Sequence, residues 1–222
     1  MIQTALILAA GRGERLRPHT DLTPKPLLPV RGKALIEWHL EALAAAGVRE
    51  VVINTAWLEA QFPAALGDGA RWGLRIHYSM EGRDHGGALE TAGGIAKALP
   101  RLGEVFWVVS GDVFLPGFPF RGALAPDRQL HLWLVANAPH HPQGDFGLDP
   151  EGRLTSGQPG PRWTWASVGL FRRAMFEAIA PGTRLALRPV LEEQIAAGRA
   201  GGEVWDGAWT DVGTPERWIA LG

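Results

Sequence analysis

The chain contains no cysteine, so disulfides and thiolate chemistry are excluded. Neither sign of charge is in excess: 22 basic side chains face 23 acidic ones, so the overall balance points to no nucleic-acid or polyanion surface. Any phosphate binding has to come from local loops. Long hydrophobic runs are missing too, and nothing approaches the roughly 18 residues of a membrane span. The apolar opening, Ala5 to Leu8, is short and lacks a basic leader, so neither an anchor nor a signal peptide is expected and the compartment read is the cytoplasm. No hexapeptide repeat is present. A chain of this length buries roughly 70% of its unfolded surface, and one domain over residues 1–222 is the expectation.

Lysine is scarce. Only Lys25, Lys33 and Lys97 occur, against nineteen arginines, so arginine serves wherever a generic cation suffices and a retained lysine invites explanation. Lys25 lies in the stretch around which the chain is organised, Thr4 to Val30. Ala5-Leu6-Ile7-Leu8 has the continuous apolar pattern of a strand buried on both faces. The side chains then shrink to Ala9, Ala10 and Gly11, with Gly13 two residues on, which lets the backbone turn its N–H groups toward an anion. Arg12, Arg15 and Arg17 add donors, and Pro24 and Pro26 stiffen the chain around Lys25. A Walker loop would end in Gly-Lys-Ser/Thr, and a dinucleotide fingerprint would need a small residue where Leu16 stands, so neither fits.

LAAGRGERLRP followed by TPKPLLPV resembles the N-terminal signature of the sugar-1-phosphate nucleotidyltransferases. The resemblance continues through Ile36 to Leu40, Val52 to Leu58, Leu89 to Ile95, His140 to Phe146 and Trp209 to Arg217. It implies an enzyme that joins a nucleoside triphosphate to a sugar 1-phosphate and releases pyrophosphate, with Mg2+ as cofactor, working as a monomer or homodimer. UTP is the favoured nucleotide, and a guanylyl-transferring member is the other enzyme reading. A nucleotide-sugar-binding module without activity is a third, and the joint presence of Arg15, Lys25, Asp112 and Asp211 speaks against it. By the same resemblance the nucleotide would lie along Leu8, Ala9, Ala10, Gly11, Gly13, Glu14, Arg15 and Lys25, with Glu81 and Gly87 beside it. Ser110, Gly144 and Asp145 would face the sugar. Arg15, Lys25 and Asp112 would carry catalysis, Arg15 at the leaving pyrophosphate, and Asp112 and Asp211 would hold the metal; two separate carboxylates suit magnesium completed by phosphates and water. His140-His141 reads as a solvated loop pair, because no third ligand is spaced to join it.

Apolar periodicity predicts a helix over 34–46 ending at Gly47, a strand at 51–53, a helix over 57–66, a strand over 74–78, a helix over 90–99 interrupted at Gly93-Gly94, and a strand at 105–109 leading into Ser110-Gly111-Asp112. Alternating strands and helices imply an α/β fold, a doubly wound, mostly parallel, Rossmann-like sheet of the nucleotidyltransferase type, whose ligands bind at the carboxyl ends of the strands. The second half should extend it with mixed strands at 131–137 and 163–171 and a helix at 189–197, with loops at 138–144 and 154–161. Thr214 should cap a short helix opened by Pro215. Two departures from the family stand out: Ser110 where asparagine is expected, and a longer run from Gly82 to Ala88, read either as a mobile lid that selects the base or as a tolerated surface insertion.

Overall fold

A computed structural model describes residues 1–157 and 160–222. The first half runs β1 (Thr4–Leu8), the one-turn helix α1 (His19–Leu22) between 3-10 turns at Glu14–Leu16 and Lys25–Leu27, a small hairpin β2 (Pro29–Val30) and β3 (Lys33–Ala34), α2 (Leu35–Ala45), β4 (Glu50–Thr55), α3 (Gln61–Leu66), β5 (Arg75–Met80), α4 (Glu81–His85), α5 (Glu90–Ala98) and β6 (Val105–Ser110). The second half adds β7 (Val113–Phe114), β8 (Leu130–Val135), β9 (Phe146–Leu148), β10 (Leu154–Thr155), β11 (Arg162–Arg172), α6 (Leu187–Ala196), β12 (Ala200–Val204), β13 (Thr210–Asp211) and α7 (Pro215–Ile219).

Among the described residues nine strands make one sheet, with β1 at its centre between β4 and β6, both parallel to it. β5 continues the parallel half beyond β4, while β11 pairs antiparallel with β6 and β8, and β12 returns parallel to β8. Side-chain alternation builds the two cores. Ala5 and Ile7, Val51 and Ile53, and Trp107 and Val109 face a layer closed by Ile36, Leu40 and Leu43 of α2 and Phe62 of α3. Leu6, Val52, Phe106 and Val108 face the opposite layer, closed by Ala92 and Ile95 of α5 and Leu187 and Leu191 of α6. The sheet is therefore covered by helices on both faces, as the solid apolar runs require.

A smaller cluster of Leu16, Leu28, Val30, Leu35, Phe114 and Val212 lies under the signature loop. It joins that loop to β7 and β13, which form a two-stranded antiparallel ribbon from segments about a hundred residues apart in sequence.

Several details differ from the sequence reading. α3 starts only at Gln61, because residues 57–60 make turns with Leu58 at φ +47. α5 is not interrupted: Gly93 and Gly94 sit within a continuous helix, at points where a side chain would strike a neighbour. Residues 154–155 of the expected loop pair with β9, and residues 158 and 159 of it lie outside the described residues. The run after Met80 is the short helix α4 rather than an open loop, closed by Gly86 at φ +78. No helix among the described residues is long and apolar enough to cross a membrane.

Candidate active site

The carboxyl ends of β1, β4 and β6 open onto a cavity of about 330 Å³ whose wall includes Leu8, Ala9, Ala10, Gly11, Lys25, Ser110 and Asp112, seven of the residues singled out in the sequence. The fold delivers them there for local reasons. Gly111 donates its N–H to Leu8 O at 2.8 Å, and a Cβ on it would fall 3.0 Å from that oxygen, a tight contact that glycine avoids where the end of β6 closes on the end of β1. The loop then leaves β1 with the N–H groups of Ala10, Gly11, Arg12 and Gly13 unpaired among the described residues. Gly13, at φ +70, supplies the left-handed turn, and its carbonyl accepts from Thr20 Oγ1 at 2.9 Å. Four successive unpaired amides are the donors an anionic group needs.

Lys25 is carried by the stiff turn behind Pro24, and its Nζ donates to Asp112 Oδ2 at 2.9 Å. Ser110 Oγ donates to the other oxygen, Oδ1, at 2.7 Å. Burial alone would push the Asp112 carboxyl up; the adjoining Lys25 ammonium and the two hydrogen bonds prevail and hold it below the usual carboxylate range. The pair is thus held in one orientation and open to the cavity.

Asp211 is set beside Asp112 by the ribbon: it pairs with Val113 in register, and Val212 N donates to Asp112 O at 2.8 Å. Its Oδ2 lies 3.1 Å from Arg217 Nη2. Its Oδ1 is buried with no hydrogen-bond donor, although His140 Nε2 stands 3.2 Å away. An orphaned carboxylate oxygen suits a hard cation, and the ribbon brings the backbone of Asp211 to that of Asp112, although Asp211 is not among the wall residues of the cavity. Among the described residues no group of three or more His, Asp or Glu side chains converges on a metal position, so a cation here would draw its remaining ligands from substrate phosphates and water.

The other residues singled out are spread around this centre. Glu14 and Arg15 lie on an exposed 3-10 turn and are not among the wall residues of the cavity, and Arg15 makes no hydrogen bond or ion pair among the described residues. Gly87 lines an adjoining cavity of about 650 Å³ with Trp57, Gly82 and Gly86. Glu81 is not a wall residue at all: it is fully buried beneath the cavity, with Asn54 Nδ2 and Leu89 N each donating to it at 2.8 Å. Gly144 and Asp145 lie at the same end of the sheet, beside the protruding start of β11. Gly144, at φ +59, fits where a Cβ would meet Asn137 Oδ1 at 2.7 Å. Asp145 Oδ2 accepts the N–H of Trp165 at 2.8 Å, next to the bulge that shifts β11 between Trp165 and Val168. His140 and His141 lie in a loop with their imidazoles partly exposed, as a solvated pair would, and each also faces an aspartate: His140 Nε2 lies 3.2 Å from Asp211 Oδ1 and His141 Nε2 3.2 Å from Asp145 Oδ1.

Sequence reasoning missed Asn54, Ala88, Glu90 and Thr91 as cavity residues. Asn54 carried a usable signal, a polar residue ending an apolar strand at the ligand-binding end of a parallel sheet.

Residues 4–221 match the nucleotidyl transferase family. An N-acetylmuramate alpha-1-phosphate uridylyltransferase of Neisseria meningitidis is 49% identical over 95% of this chain and 93% of its own length. A mannose-1-phosphate guanylyltransferase of Mycobacterium tuberculosis is 32% identical over 97% of this chain, which spans 62% of that protein. The crystal structure of HddC from Yersinia pseudotuberculosis superposes with a TM-score of 0.80 over the whole chain and 98% of its own, at 19% identity, and so shares the fold. This chain belongs to the nucleotidyl transferase family.

Proposed function

We propose that the protein condenses UTP with N-acetylmuramate 1-phosphate to a UDP-sugar and pyrophosphate. The observation that carries this reading is the Lys25–Asp112–Ser110 cluster facing a loop of free amides, in a chain that is nearly half identical to a uridylyltransferase of that sugar. An oxygen of the sugar phosphate attacks the α-phosphorus of the triphosphate as the bond to the bridging oxygen of pyrophosphate breaks, and no covalent enzyme intermediate is needed. The amides from Ala10 to Gly13 cradle the triphosphate, Lys25 stabilises charge gathering on the attacked phosphate, and Arg15 reaches the leaving pyrophosphate from its exposed turn. Asp112 and Asp211 would hold Mg2+, which supplies charge neutralisation for the phosphates. Gly144 and Asp145 border the sugar. The runner-up is guanylyl transfer to mannose 1-phosphate, favoured by the mycobacterial relative.

A panel of nucleoside triphosphates against sugar 1-phosphates, scored by pyrophosphate release, tests this directly. UTP with N-acetylmuramate 1-phosphate should be turned over fastest, and a clear preference for GTP with mannose 1-phosphate would replace the proposal with the runner-up. Asp112→Asn and Asp211→Asn should each lose turnover by about 10²-fold or more while keeping the fold. Folded variants with near-normal activity would remove both residues from the metal site.

A further inference from the structure

Glu81 is fully buried, yet it sits at a junction of three cavity elements. Its Oε1 accepts from Asn54 Nδ2 and its Oε2 from Leu89 N, both at 2.8 Å. Asn54 in turn accepts the N–H of Ala9 on its Oδ1 at 2.9 Å. We infer that Glu81 is a positioning residue: through Asn54 it fixes the main chain where the phosphate loop leaves β1, and through Leu89 it fixes the start of α5 on the opposite wall. The inference rests on the reading of the cavity as the triphosphate site.

Hydrogen-bond polarity makes the arrangement specific. Asn54 cannot reverse its amide without turning its NH2 on the Ala9 N–H, and the Leu89 amide can only donate. Both Glu81 oxygens must therefore accept, which a carboxylate does and a carboxylic acid or a glutamine does not. The helix above is shaped for this bridge. A Cβ at Gly94 would fall 2.6 Å from Glu81 Oε1 and 2.7 Å from Asn54 Nδ2, so α5 lies on the pair only because that residue has no side chain. Burial pushes the Glu81 carboxyl up; the bonds from Leu89 and Asn54 and the charges of Lys97 on α5 and His85 on α4 act in the other direction without reversing it. Glu59, whose Oε2 accepts from Gly82 N, is the neighbouring acid on the β4 side.

The test is a double-mutant cycle of Glu81→Gln and Asn54→Ala, read by UTP affinity and by the pH profile of kcat/KM. Glu81→Gln should weaken UTP binding roughly tenfold or more, as expected for a lost buried charged hydrogen bond, and should add little once Asn54 is alanine. Wild type should lose kcat/KM on the acid side at a pH above the ordinary carboxylate range, and Glu81→Gln should flatten that limb. Stability should move oppositely. A raised folded pKa means that wild type loses stability as pH rises through it while the variant does not, so whatever Tm difference the lost hydrogen bond creates should shift in the variant's favour as the pH is raised. Additive losses, or a changed preference among triphosphates in Glu81→Gln, would show direct contact with the base and overturn the inference. If the variants fail to fold, amide exchange in the wild-type protein decides: protection at Ala9 and Leu89 should weaken together on acidification, and independent behaviour overturns the inference. Failure of the wild-type protein to bind UTP would instead strike the functional reading on which it rests.

Discussion

Lys25 and Asp112 meet at 2.9 Å with the lysine largely covered, so truncating either leaves the other charge without its partner in a poorly solvated place. Lys25→Ala should lower kcat by about 10²- to 10³-fold, the size found when a preorganised donor to developing charge is removed, with a smaller effect on triphosphate Kd. Single-turnover kinetics beside direct binding separates the two, and equal losses in both would make Lys25 a ground-state binder only. At this scale the sequence was readable where residue type was unusual for its setting. A lysine between two prolines in an arginine-rich chain, and aspartates after a solid strand and in a Gly/Pro turn, announced themselves. Glu81 was placed beside the nucleotide by the family resemblance alone; acidic residues are rarely buried, and only the three-dimensional partners show that this one points inward.

In α5 the glycines looked like a break because glycine costs a helix about 0.8–1.0 kcal/mol relative to alanine. Packing outweighs that. A Cβ on Gly93 would lie 2.1 Å from the carbonyl oxygen of Thr183, which is backbone and cannot swing aside, while the N–H groups of Ala92 and Gly93 both donate to Leu185 O. Gly93→Ala should therefore gain helix propensity yet lose about 1–3 kcal/mol or more net through overpacking, seen as a lower Tm. An unchanged or higher midpoint would mean that the 183–185 loop yields freely. The lid idea for 82–87 narrows for a similar reason. α4 is a formed turn, and Gly86 at φ +78 ends it, so alanine there should cost stability before it changes selectivity. Long periodic elements were legible from their own residues; β7 and β13 were not, because a two-residue strand exists only through its distant partner.

Among the described residues four carboxyls sit below their usual range. Asp21 is held down chiefly by the Arg12 hydrogen bond, Asp84 by Arg83 and then Lys97, Glu216 by Thr214, and Asp112 by Lys25 against the upward push of burial. A depressed folded pKa contributes stability above the unfolded value that is lost as pH falls through the folded one. Thermal melts should therefore show Tm falling as the solution is acidified below the ordinary carboxylate range, and a flat Tm there would show that these pairs contribute nothing. Glu81 works with the opposite sign.

The small cluster beneath the signature loop has a consequence for a chain still being made. β1, β4, β5 and β6 are complete once residue 110 has emerged, but the apolar seat of Leu16 lacks Val212, and Arg31 N lacks its acceptor on Gly222, until about a hundred more residues have followed. Domains begin to fold as they leave the ribosome. A nascent polypeptide halted before the β13 ribbon would carry every residue of the phosphate loop without the seat that Val212 completes, so competence to grip a nucleotide would come with β13 rather than with the motif itself.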